Sequence, residues 1–178
     1  MRVILESIEG EYRRYKALGE GAIAQLTDEQ LCRVSQSGGN SVAALVWHIS
    51  GNFKSRFTDF LTSDGEKLWR DRESEFTRRN VARSEVLQKW NEGWETLLGA
   101  LASLDDGKLQ VAVKIRGRSL SVMEALLRSL AHASFHVGQI VFWARELRGA
   151  TWQYLTIPPG QSESYNQNPF AEKGPAQT

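Results

Sequence analysis

The chain has 178 residues, 22 Lys+Arg against 21 Asp+Glu for a formal charge of +1, and 41% hydrophobic residues. That length and composition predict one globular domain over 1–178 with a core of its own, and the near-neutral balance argues against a broad electrostatic surface for nucleic acid. The single cysteine, Cys32, excludes a disulfide framework within the chain and any cysteine-rich zinc site.

At the N-terminus, Glu6, Glu9, Glu11, Arg13 and Arg14 interrupt any apolar run, so Met1 to Leu26 does not read as a signal peptide. No later stretch approaches the roughly 18 apolar residues of a membrane span. The expectation is a soluble cytoplasmic protein with no membrane partner. Ile4, Ile8, Tyr12, Tyr15, Gly19, Ala22 and Leu26 recur at steps of three and four, the face of a long amphipathic helix. Thr27 and Gln30 have capping-box spacing and predict a short helical turn through Leu31 and Val34. Residues 35–40, Ser-Gln-Ser-Gly-Gly-Asn, are a loop by composition. A second long helix opens near Ser41, carries Val42, Leu45, Val46, Ile49, Phe53, Phe57 and Phe60, and is expected to end near Ser63-Asp64-Gly65.

Residues 66–83 are densely charged, with Trp69 and Phe76 as the aromatics. They read as a connection holding at most a turn of helix, and a connection this long in one domain is often functional. A third helix starts near Ser84, with Leu87, Trp90, Trp94, Leu97, Leu98, Leu101 and Leu104 as its stripe, and stops at Asp105-Asp106-Gly107. The tryptophans there, like Trp143, read most simply as packing residues. Val111, Val113 and Ile115 then alternate with polar residues, Gly117 turns the chain, and 118–120 can pair back as a small hairpin. The fourth helix has a strong start signal, a Ser121/Glu124 capping box. Its stripe runs Val122, Leu126, Leu130, Ala133, Val137, Ile140, Ala144 and Leu147, and Gly149 is its stop. The tail, 150–178, holds all four prolines and reads as an extended strap with a disordered end. The fold class is therefore all-α: a four-helix bundle with a small β-hairpin before the last helix and an extended C-terminal tail.

The chain has only three histidines, His48, His132 and His136. His132 and His136 stand at i and i+4, the spacing two imidazoles need to reach one ion. At about 100° per residue both fall on or beside the buried stripe of the fourth helix. His48 flanks Leu45 and Ile49 at the edge of the second helix's apolar face, so all three can point into one bundle interior, where bundles build metal sites. Three neutral imidazoles leave open positions on a divalent ion, with zinc, nickel and iron all acceptable. An open position can hold water and lower its pKa, or ionise a bound thiol. Asn52 and Gln139 are candidates to orient a histidine or a substrate, and either can equally be an edge residue. No general base is assignable on the histidine face. Arg70, Arg72, Glu73 and Glu75 can place charge at a pocket mouth or simply form a solvated loop. Cys32 reads as a buried inert thiol, and Arg78-Arg79 is too short for a nucleic-acid patch.

Two segments carry a resemblance: L-V-W-H-I-S-G-N, Leu45 to Asn52, and L-A-H-A-S-F-H-V-G-Q-I, Leu130 to Ile140. With the order of helices over residues 1–149, they make the chain resemble the DinB-like (DinB/YfiT-like) family of proposed metalloenzymes. A closer likeness, to a branch of DinB-related proteins without assigned activity, rests on R-D-R-E-S-E-F (Arg70 to Phe76), S-L-S-V-M-E-A-L (Ser119 to Leu126) and I-P-P-G-Q-S-E-S-Y-N (Ile157 to Asn166). The resemblance implies a four-helix bundle, often a homodimer, with a metal held by His48, His132 and His136. Within the wider family some members look like thiol-dependent S-transferases or isomerases and others are taken for hydrolases. The expected function is a metal-dependent enzyme of hydrolase or thiol S-transferase class acting on a small molecule. The alternatives are a non-catalytic metal- or small-ligand-binding bundle, and an interaction module whose histidines are core residues.

Overall fold

A computed structural model describes residues 1–35 and 38–168. Helix α1 spans Val3–Ala24 and buries Leu5, Ile8, Tyr12, Gly19, Ala22 and Ile23. The inward face begins one residue later than the apolar spacing implied: Leu5 is buried, while Ile4 is 46% exposed. Helix α2 (Asp28–Cys32) carries the expected reciprocal cap between Thr27 and Gln30. Of the loop that follows, Gln36 and Ser37 lie outside the described residues.

Helix α3 (Val42–Phe57) starts where expected, with the Ser41 hydroxyl accepting the Ala44 N–H. It ends earlier than the apolar spacing implied. Thr58 is extended and Asp59 sits at φ 48, so the chain leaves the helix there. Phe60 is nevertheless buried, because the turn carries it back onto the core. The charged connection holds one 3-10 turn, Glu73–Phe76. Helix α4 (Arg83–Ala102) follows. Strands β1 (Ala112–Ile115) and β2 (Arg118–Ser121) form an antiparallel hairpin with Val113 opposite Leu120. Its two turn residues, Arg116 and Gly117, both have positive φ, as two-residue hairpin loops require. Helix α5 (Val122–Arg148) opens on the Ser121/Glu124 capping box and stops at Gly149, φ 53. Beyond a 3-10 turn at Gly149–Thr151, the tail adds a short helix, α6 (Ser162–Gln167), that the proline-rich reading did not include. The expectation of disorder at the end falls on 169–178, outside the described residues.

The four long helices pack as two pairs, α3 on α4 and α1 on α5. Gly93 sets the first pair's approach: a Cβ there would stand 2.6 Å from the Ser50 Cα. Tyr12, Phe53, Trp90 and Trp94 are fully buried, with Trp94 edge-on to Phe53 at 4.8 Å. The two tryptophans are thus core residues, each burial contributing about 3 kcal/mol. The Tyr12 hydroxyl donates to the Leu126 carbonyl at 2.8 Å and ties α1 to α5. Trp143 is half-buried, its indole N–H donating to the Arg33 carbonyl. Cys32 is half-buried rather than buried, its sulfur accepting the Val81 N–H. No described helix is long and apolar enough to cross a membrane.

Candidate metal centre

The three histidines come together. His48 projects from α3 and His132 and His136 from successive turns of α5, and one nitrogen of each lies within 4.8 Å of the others. His48 is buried and the other two are half-buried. The rings meet edge to face, with centroids 5.1, 4.7 and 4.6 Å apart.

The surroundings of two of the rings, His48 and His136, decide which nitrogen is free. His48 Nδ1 lies 2.8 Å from Glu75 Oε2. Burial pushes the Glu75 carboxyl up, but hydrogen bonds from His48 and Arg70 outweigh it and hold the group below its usual range. A carboxylate can only accept, so His48 Nδ1 carries a proton, and in the neutral ring the lone pair is on Nε2. His136 Nδ1 lies 2.8 Å from Gln139 Oε1, an amide carbonyl oxygen, and the same logic leaves its Nε2 free. His132 Nε2 approaches His48 Nε2 to 3.1 Å, and its buried Nδ1 has no hydrogen-bond partner. Burial, reinforced by His136 and His48, pushes His132 down to about 3. Burial also lowers His136, against the Gln139 bond. Both are neutral imidazoles near pH 7, the form that binds metal.

This donor set fits a divalent ion. Two imidazoles bonded at about 2.05 Å to one tetrahedral ion stand about 3.3 Å apart, close to the His48–His132 separation. Fixing Nδ1 of a ligand histidine with a carboxylate or carbonyl is also how metal sites set tautomer and ring direction. The three histidines could therefore hold a metal ion.

Glu75 is the residue that sequence reasoning placed no closer than a pocket mouth. It is 6% exposed and is gripped through both oxygens by Arg70, at 2.8 and 2.9 Å. The Arg70 side chain is buried as well. Its neighbours Arg72 and Glu73 stay exposed and pair with each other; Arg72 also lines the cavity that holds the histidines, so the solvated-loop reading holds for Glu73. Phe76 stacks on the His48 ring at 4.6 Å. A signal for Glu75 did exist. Gly51 interrupts the apolar pattern of α3 one turn beyond His48, and a glycine inside a helix marks a close approach. A Cβ on Gly51 would stand 2.1 Å from Glu75 Oε1.

The histidines sit in a cavity of about 470 Å³ whose walls include Asn52, Gln139, Phe57, Phe76 and Phe135. Of the two orienting candidates, both on the cavity wall, the exposed Gln139 touches a histidine, whereas the buried Asn52 does not.

The sequence model of one family, described as a protein of unknown function (DUF1572), matches residues 2–161. No curated protein and no solved structure matches the chain.

Proposed function

Because the chain belongs to the DUF1572 family of proteins of unknown function, membership supplies no activity, and we propose one from the site: a metal-dependent enzyme in which His48, His132 and His136 hold a divalent ion, zinc, nickel or iron. The reaction class is hydrolysis or thiol S-transfer on a small molecule. The observation that carries this is the convergence of three imidazole nitrogens within 4.8 Å at a cavity wall. The resemblance to DinB-like proteins, which implies the same three ligands, supports it.

When bound, such an ion supplies Lewis acidity that brings a water or thiol toward ionisation near neutral pH. The chain's residues prepare the place for it. Glu75 keeps the proton on His48 Nδ1, Arg70 keeps Glu75 ionised and fixed, and Gln139 aligns His136. Phe76 covers one face of His48 and keeps water from it. Asn52 is placed on the wall to hydrogen-bond a substrate.

One observation favours a second reading, a non-catalytic metal- or small-ligand-binding protein. No carboxylate is among the described residues that line the cavity, and Glu75 is already engaged by Arg70 and His48. Purified, tag-free protein is expected to carry close to one equivalent of metal per chain by elemental analysis, and His132→Ala to carry little. Protein that neither holds nor takes up metal would sink both readings. Esters, amides and thiol-conjugation substrates separate them. Turnover lost in His48→Ala supports the enzyme, and stoichiometric metal without turnover of any of these supports the binder.

A further inference from the structure

Five arginines, Arg56, Arg70, Arg72, Arg116 and Arg128, line the histidine cavity, and among the described lining residues none is Asp or Glu. Their charge is only partly met. Arg70 is paired with Glu75, and Arg72 with the exposed Glu73. Arg56 and Arg116 share a single carboxylate, Glu66, at 3.0 and 2.9 Å. Arg128, one turn before His132 on α5, has no ion pair or hydrogen bond among the described residues. Three carboxylates thus answer five guanidiniums, and a divalent ion on the histidines would add further positive charge. The crowding is felt at Arg56, whose side chain is 12% exposed. Burial lowers its pKa from the usual arginine range, Glu66 opposes that, and Arg70 and Arg116 push it down further.

The hairpin turn sets one of these arginines at the rim of the cavity. Arg116 occupies the left-handed region at φ 55, a position where two-residue turns favour Asn or Gly. Asp64 holds it there, accepting the N–H of Arg116 at 2.8 Å and of Gly117 at 2.7 Å. Strain of this kind concentrates where a side chain must be aimed. The opposite character is also present: Phe57, Phe60, Phe76 and Phe135 supply an apolar wall.

We propose that the cavity binds a small anionic molecule with an apolar body, its carboxylate or phosphate group taken by Arg128, Arg116 and Arg56 beside the histidines. Guanidiniums suit such groups because their planar fork donates two parallel hydrogen bonds to paired oxygens. The anion supplies the charge that Glu66 alone does not. The proposal deepens the metal-enzyme reading and rests on it for the place of the ion, but the arginines are part of the protein with or without metal.

Calorimetric titration with benzoate, phenyl phosphate and the neutral isostere benzamide tests it, on metal-loaded and on chelator-stripped full-length protein. Benzoate or phenyl phosphate is expected to bind the stripped protein at least about tenfold more tightly than benzamide. Arg128→Gln and Arg116→Asn are each expected to weaken that binding about tenfold, charged hydrogen bonds of this kind being worth roughly that much. Arg128 is exposed and Asn suits the left-handed turn, so both variants keep the fold. Equal binding of all three probes overturns the proposal. So does binding of neither anion at millimolar concentration, or anion binding indifferent to both substitutions. Arginine-dependent binding by a protein that takes up no metal would sink the metal reading alone, and metal uptake with no preference for anions would sink this proposal alone.

Discussion

At the level of single residues, the centre depends on a carboxylate that touches no ion. Glu75 must stay ionised to keep His48 in the tautomer with a free Nε2, and Arg70 keeps it so inside the protein. Glu75→Gln leaves the buried Arg70 guanidinium without its charge partner, which costs about 3 kcal/mol of stability. It also releases the proton position on His48, and metal affinity should fall about 10–100-fold in a chelator-competition titration. Gly51→Ala makes the same point without changing charge, because its Cβ needs the space held by Glu75 Oε1. If Glu75→Gln lowers the melting temperature but leaves metal affinity intact, Glu75 serves Arg70 and not His48. The triad itself is legible in the chain, since three histidines on two apolar faces have few places to go. Glu75 is not legible in the same way. Five charged groups crowd residues 70–75, and which of them turns inward depends on the space that Gly51 leaves on a helix distant in sequence.

At the level of elements, the hairpin and the connection that follows α3 are held together by one side chain, Asp64. Its carboxylate accepts the N–H of Glu66, and of Gly117 and Arg116 across the connection. The Glu66 and Gly117 bonds hold its pKa below the usual 3.8, burial opposing slightly and the Arg116 bond and Arg56 charge adding. A carboxyl whose folded pKa is depressed stabilises above its unfolded value and loses that contribution as pH falls through the folded one. Asp64→Asn should therefore cost about 1 kcal/mol above pH 5, the bonds being discounted for solvent access. The gap between variant and wild type should close as pH drops below about 4. Urea denaturation at stepped pH reads this directly, and a gap that stays constant down to pH 3 would mean the carboxylate's charge contributes nothing. Capping boxes at Thr27 and Ser121 made the starts of α2 and α5 readable, because a cap is a local signal. The end of α3 was not readable. Phe60 keeps helical apolar spacing although the chain has turned out of the helix at Thr58, since burial records which side chains face the core and not the backbone path that brings them there.

At the level of the whole molecule, the histidines join two halves. Apolar spacing on four helices implies a bundle, but it does not say which helix lies on which. In the fold α3 packs chiefly on α4, and α5 chiefly on α1. His48 belongs to the first pair and His132 and His136 to the second. An ion held by all three would cross-link the pairs, and it would bind the folded chain far better than the unfolded one. At free metal about 100 times its dissociation constant, that linkage stabilises the fold by about 2.7 kcal/mol. In a domain of this size each kcal/mol raises the melting temperature about 2–4 °C, so zinc or nickel should raise it about 5–10 °C and chelation should reverse the gain. Magnesium, which prefers oxygen ligands, should do little. The decisive comparison is between variants on the two sides. If the ion spans them, His48→Ala and His136→Ala both lose the shift. If His48→Ala keeps it while His136→Ala does not, the ion sits on α5 alone. The approach of His48 on α3 to His132 on α5 would then be a feature of packing, independent of metal.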